Sequence, residues 1–133
     1  MPNLSSICSS GCVIFPWFEY CIEPLERLDY GYLGELGIPG RHDFRKPNTD
    51  SWIERTHQIH MVERGNAEWQ RMLIFRDYLR DHLLVAQQYS RLKCSLADEF
   101  GSHPDAHRLY PEGKTTFVQF VLQQAACEGY GPV

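Results

Sequence analysis

The hydrophobic and polar positions of this chain change their period about halfway along. Residues 41–46 alternate as in a strand, which predicts Arg41, Asp43 and Arg45 on one side and the intervening residues on the other. A turn-forming run of Pro, Asn, Thr, Asp and Ser follows, and a second alternating stretch comes after it. The pattern predicts a β-hairpin over residues 41–63.

Three helices are predicted after the hairpin, at about 66–80, 82–100 and 115–126, from apolar residues that recur every three or four positions. Asn66 is a suitable N-cap for the first of these helices. The second carries its stripe from Val85 to Phe100. The fold class expected is therefore α+β, with a small, mixed, partly antiparallel sheet and flanking helices.

The first part of the chain has a different character. The run VIFPWFEYCI (13–22) is apolar and aromatic and predicts a strand packed on the core, or a segment that covers exposed core. The run IEPLERLD (22–29) predicts one or two helical turns. The glycines after it indicate a bent strand and a turn at Pro39-Gly40. The final EGYGPV is expected to fray.

Composition and charge exclude some classes of function. The chain has 133 residues, and we expect a single domain over 1–133 with a divergent segment at 1–21, a core at 22–126 and a tail at 127–133. A net charge of −4 disfavours binding to nucleic acid or to anionic membranes. No apolar run is long enough for a membrane span. A cytoplasmic protein without nucleic-acid or membrane partners is predicted.

The five cysteines lack a C-x-x-C pair. Their odd number and wide spacing disfavour a disulfide framework and a zinc ribbon. Free thiols in a reducing cytoplasm are therefore expected, with no metal and no cofactor. A metal held by Cys8, Cys12, Cys21 and a histidine is the alternative.

Positive and imidazole side chains collect in and around the hairpin. Guanidinium groups suit phosphate or carboxylate binding, so we predict an anion pocket formed by Arg41, Arg45, His57, His60 and Lys114. The alternative is a solvated hairpin with surface ion pairs. His57 and His60 are three residues apart in a strand, so they point to opposite faces and would share a metal only if the strand is distorted. We predict no metal site and no catalytic residue.

Three long phrases resemble the GrpB (UPF0157) family: IEPLERLDYGYLGELGIPGRHDFRKP, THQIHMVERGNAEWQRMLIFRDYLRDH and LYPEGKTTFVQFVL. The residues on positions typical of that family are Arg41, Phe44, Arg45, His57, His60, Glu63, Trp69, Phe75, Arg76, Asp77, Tyr78, Leu79, Arg80, Tyr110, Lys114 and Phe117. The resemblance covers roughly 100 residues and implies a nucleotidyltransferase-like fold with nucleotide-like or phosphate-containing ligands.

The family's glycine-serine loop and aspartate strand have no counterpart in residues 1–21, and Gln58 and Met72 stand where the family often has histidine. The resemblance therefore favours a non-catalytic binding or assembly module with a truncated nucleotidyltransferase fold. Its sheet edge or N-terminal segment is expected to pair in a homodimer. The alternative is a Mg²⁺-dependent nucleotide-handling enzyme that uses Asp43, Glu63 or Asp77. A fold that persists without a selected activity is a third reading.

Overall fold

The computed structural model describes residues 18–51 and 54–131. It confirms the α+β class. In chain order the elements are α1 (Glu19–Arg27), β1 (Gly31–Gly34), β2 (Arg41–Lys46), β3 (His57–Val62), α2 (Ala67–Asp81), α3 (Leu83–Phe100) and α4 (Ala106–Cys127). The chain divides into two compact units, one ending at Trp69 and the other beginning at Gln70.

The first unit contains the three strands, in the order β1-β2-β3, and every pairing is antiparallel. Asp43 stands opposite His60, and Arg45 stands opposite Gln58. Because side chains alternate along a strand, one face carries Arg41, Asp43 and Arg45 from β2 with Gln58, His60 and Val62 from β3. We call this the Asp43 face. The predicted hairpin is thus confirmed.

The central strand β2 is buried on both faces, since Asp43 and Phe44 are both fully buried although they point in opposite directions. The ring of Tyr32, on the neighbouring strand, lies 5.1 Å from the ring of Phe44. An aromatic core on one face and a polar cluster on the other therefore share a single six-residue strand.

The prediction of a strand over residues 13–22 is wrong for residues 19–22, because these residues belong to α1, which begins at Glu19. Residues 13–17 of that prediction lie outside the described residues. The helix places Cys21, Ile22 and Leu25 on one partly buried side. Glu23 and Arg27 pair across one turn on the solvent side. Helical spacing of these residues outweighs the local preference of the aromatic run for a strand.

In the second unit, the buried centre is formed by Phe75 and Tyr78 of α2 with Val121 and Ala125 of α4. The α3 stripe is confirmed by the burial of Leu96.

The predicted Asn66 cap is also confirmed, since its Oδ1 accepts a hydrogen bond from the Trp69 amide at 3.0 Å. No helix within the described ranges is long and apolar enough to cross a membrane.

Helix α4 begins at Ala106, nine residues before the predicted start near Thr115, and continues through Pro111. Proline is tolerated in the first turn of a helix but costs stability further in. Packing favours the longer helix, because Gly113 lets α4 approach α3 closely: a Cβ at that position would lie 2.4 Å from a methyl group of Leu96. Lys114 therefore lies inside a helix and does not precede one.

The expectation of a frayed tail is wrong for residues 128–130. The Tyr130 hydroxyl donates to Asp81 at 2.6 Å, and the Tyr78 hydroxyl donates to Glu128 at 3.0 Å. The hydrogen bond to Asp81 raises the pKa of Tyr130 to about 12. These long-range contacts tie the chain after α4 to the end of α2, and a local sequence pattern does not reveal them.

Candidate functional site

Asp43, near the centre of β2, is a carboxylate with no exposed surface. Arg41 donates to its Oδ2 from Nε at 3.1 Å and from Nη2 at 2.9 Å. The second oxygen, Oδ1, contacts Nδ1 of His60 on the facing strand. Both carboxylate oxygens are therefore engaged, which offsets the cost of burying the charge.

The contact with Asp43 fixes the proton of His60, because an ionised carboxylate accepts hydrogen bonds and does not donate them. Nδ1 must carry the hydrogen, so Nε2 holds the lone pair of the neutral ring. Nε2 has no hydrogen-bond partner within the described part of the chain, and the His60 side chain is 28% exposed. His60 can thus accept a hydrogen bond at Nε2 when neutral and donate one when protonated.

Arg41 also connects the sheet to the first turn of α2, with its Nη1 3.4 Å from Oε1 of Glu68. Negative charge is favoured at the N-terminal end of a helix, and Glu68 is itself buried. The guanidinium of Arg41 therefore lies between two carboxylates. Its position suits a role in holding Asp43 and leaves a ligand little access to its donors.

Arg45 lies further along the same face, with only 8% of its side chain exposed. Its Nη2 is 4.0 Å from Oδ1 of Asp50, whose side chain is fully exposed. An ion pair with an exposed partner contributes little stability. Arg45 and His60 are diagonal neighbours across the two strands, a relation that separates residues by about 7–8 Å, within reach of long side chains.

The structure brings together three of the five residues of the predicted pocket: Arg41, Arg45 and His60. His57 lies on the opposite face of the sheet, as the alternation predicts, with its ring 6.5 Å from that of Tyr30. Lys114 lies in the second unit, with Nζ 4.3 Å from the centre of the Tyr110 ring.

Asp43 and Glu63, two of the carboxylates considered for a metal, lie on opposite faces of the sheet. Glu63 follows Val62, so the alternation of β3 directs it away from the Asp43 face. Asp77 lies in the second unit and pairs with Arg76 and Arg80. Within the described ranges, no three His, Cys, Asp or Glu residues are grouped so that they could hold a metal ion. Cys8 and Cys12, from the alternative metal site, lie outside the described residues.

A second polar pair lies within the aromatic side of the sheet. The Tyr32 hydroxyl is 2.8 Å from Nδ1 of His42, whose ring stacks on Phe18 at 3.7 Å. Burial raises the pKa of Tyr32, and neighbouring carboxylates add to the effect. His42 is itself buried, and its Nε2 has no hydrogen-bond partner among the residues described. His42 therefore presents neither ring nitrogen to solvent.

Sequence reasoning missed two residues of the site, Glu68 and Asp50. It also missed that Asp43 orients His60. The alternation of β2 placed Asp43 beside Arg41 and Arg45, which was the available signal. The pairing of Asp43 with His60 depends on the register of the hairpin, and alternation alone leaves that register open.

These features define the class: an α+β protein whose three-stranded antiparallel sheet carries a buried Arg-Asp-His cluster on one face. The family model described as "GrpB protein" matches residues 17–124. The chain belongs to the GrpB family, and the resemblance seen in the sequence is confirmed.

Individual relatives agree with this assignment. The UPF0157 protein YqkA of Bacillus subtilis is 39% identical over 103 residues, which are 77% of this chain and 28% of that protein. The glutamate-rich protein GrpB of Alkalihalophilus pseudofirmus is 31% identical over 102 residues, which are 77% of this chain and 57% of that protein. The chain therefore spans less than two thirds of the length of either relative.

A solved structure shows the same fold. The crystal structure of conserved protein GrpB from Enterococcus faecalis is similar with a TM-score of 0.68 and 32% sequence identity. The similarity covers 90% of this chain and 67% of that one.

Proposed function

We propose that this chain is a non-catalytic binding module that holds a small phosphate-type anion on the Asp43 face. The observation that carries the proposal is that the buried Arg45 and the partly exposed His60 lie on one face, with His60 oriented by a fully buried Asp43. Guanidinium and imidazole N–H groups are donors that suit phosphate oxygens.

The proposed pocket is smaller than the one expected from the sequence. Arg45 and His60 contact the anion, while Arg41 holds Asp43 in place and does not touch the ligand. His57 is left out because it lies on the other face of the same sheet. Lys114 is left out because its ammonium group lies over the Tyr110 ring of its own helix.

The enzyme alternative, a metal-dependent nucleotidyltransferase-like protein, receives less support from the described residues. Such chemistry uses two metal ions held by acidic side chains. Asp43 has both oxygens engaged by Arg41 and His60, and Glu63 lies on the opposite face. This arrangement favours binding without metal.

A thermal-shift experiment with sulfate, inorganic phosphate and nucleotides, each with and without Mg²⁺, tests the proposal. A ligand of the folded state at a hundredfold excess over its dissociation constant stabilises by about 2.7 kcal/mol. We expect the oxyanions to raise the melting temperature, and Mg²⁺ to add nothing. His60→Gln should abolish the shift, whereas the matched control His57→Gln, on the opposite face, should keep it.

Three outcomes would contradict the proposal. A shift that requires Mg²⁺ would favour the enzyme alternative. An equal loss in His60→Gln and His57→Gln would place the anion elsewhere. If no anion raises the melting temperature, the proposed anion-binding function is refuted.

Self-association is a second proposal, supported by the outer edge of β3. No described strand pairs with that edge, and residues 57–62 carry no Asp, Glu, Lys or Arg. Charged side chains are a common protection of edge strands against pairing. We propose that two copies pair through this strand as a homodimer. A sedimentation series that finds a monomer at high protein concentration would refute it.

A further inference from the structure

We infer that binding of a dianionic tetrahedral oxyanion on the Asp43 face is coupled to the uptake of one proton at His60, so that affinity rises as the pH falls. This inference rests on the proposed function and specifies both the charge of the ligand and the regulation of the same site. Its basis is the charge balance of the cluster and the fixed hydrogen of the imidazole.

Carboxylates lie near both guanidinium groups of the cluster. The carboxylates of Asp43 and Glu68 both pair with the guanidinium group of Arg41. Asp50 adds a further negative charge near the outer end of Arg45. A protonated His60 adds a positive charge that a neutral His60 lacks, and this charge attracts a dianion.

The hydrogen bond to Asp43 leads to the same conclusion. With Nδ1–H directed at Asp43, a neutral His60 would turn the lone pair of Nε2 toward an anion oxygen, and two acceptors cannot bond. A protonated ring donates at both nitrogens, to Asp43 from Nδ1 and to the anion from Nε2.

The other charged side chains near His60 do not account for the proton that is taken up. Arg41 and Arg45 are permanently charged. Glu68 reaches the cluster through Arg41, and Asp50 reaches it through Arg45. Gln58, which stands opposite Arg45 in the sheet, is uncharged and accepts a hydrogen bond from Arg55 at 2.8 Å.

The placement of Arg45 and His60 on different strands suits a tetrahedral ligand. Arg45 and His60 approach from different strands, and a tetrahedral oxyanion can offer one oxygen to each. The same anion would replace Asp50, an exposed carboxylate already near Arg45. Sulfate and phosphate monoesters belong to this class, and a planar carboxylate paired with the Arg45 fork would leave His60 unused.

Calorimetric titration with sulfate is the appropriate test, because sulfate keeps its charge between pH 6 and 8 and any pH dependence then belongs to the protein. Titrations in two buffers with different ionisation enthalpies, neither containing phosphate or sulfate, give the number of protons taken up. We expect about one proton per sulfate where His60 starts neutral, and an affinity that rises by up to about tenfold per pH unit there.

Three variants separate the groups involved. His60→Gln should remove the proton uptake, and the matched control His57→Gln should retain it. Asp50→Asn should tighten sulfate binding while keeping the pH dependence, because a competing carboxylate is removed from Arg45.

Sulfate binding with no proton uptake, or proton uptake that persists in His60→Gln, would overturn the inference and leave the proposed anion site standing. A failure of sulfate to bind at any pH would overturn both.

Discussion

Replacement of Asp43 by asparagine is expected to destabilise the protein strongly, although the two side chains have nearly the same shape. The carboxylate has no exposed surface and accepts two contacts from Arg41 and one from His60. Asparagine keeps one acceptor oxygen for Arg41, but its NH₂ group cannot accept from Nδ1 of His60. Among the described residues, the variant also leaves the largely buried Arg41 with Glu68 as its remaining charged partner.

The size of the effect follows from this geometry. Removal of one partner of a buried ion pair typically costs about 3–5 kcal/mol, because the other charge stays buried without compensation. Glu68 retains part of that compensation through its 3.4 Å contact with Arg41. We therefore expect Asp43→Asn to lower the free energy of unfolding by about 2–4 kcal/mol.

Urea denaturation near neutral pH measures this quantity through the shift of the midpoint at constant slope. Asp50→Asn is the matched control: the same substitution at a fully exposed position, expected to leave the midpoint unchanged. A loss of less than about 1 kcal/mol for Asp43→Asn, the range of a surface ion pair, would refute the account of a buried Arg-Asp-His cluster.

Two further predictions concern the second unit. The hydrogen bond to Asp81 favours the protonated form of Tyr130 and raises its pKa to about 12, so this contact stabilises the fold below about pH 10 and is lost as the pH rises through about 12. Tyr130→Phe should therefore be less stable than the wild type at pH 8, and the difference should close by pH 12 in urea titrations; a constant difference would contradict the assignment. Gly113→Ala gains about 1 kcal/mol of helix propensity, but in the wild type the clash with Leu96 opposes that gain by about 1–3 kcal/mol. The substitution should therefore be better tolerated in a Leu96→Ala background, and additive effects in the double mutant would refute that contact.

Much of the sheet could be predicted because alternation is a local property. The six residues of β2 specify which side chains share a face, and they placed Asp43 with Arg41 and Arg45. Which residue of β3 faces Asp43 depends on the register, and the register is set by turn geometry and burial on both faces. The sequence therefore does not predict the pairing of His60 with Asp43, although it offers both residues as candidates for the site.

The errors in the helices have a similar origin. The apolar spacing predicted a start of α4 near Thr115, but the close approach of Gly113 to Leu96 stabilises a helix that starts at Ala106. The tail was expected to fray because its glycines and proline favour irregular backbone. Tyr130 holds it through an acceptor 49 positions away in the chain, Asp81, and no short window contains both residues.

The central claim, that His60 is held by Asp43 and meets an anion at Nε2, is tested most directly by nitrogen NMR of the histidine rings. Spectra recorded at one pH with and without sulfate report which ring nitrogens carry hydrogen. Our account predicts that His60 carries it on Nδ1 without sulfate and on both nitrogens with saturating sulfate, while His57 does not change. A His60 ring protonated at Nε2 alone, or one that does not respond to bound sulfate, would contradict it.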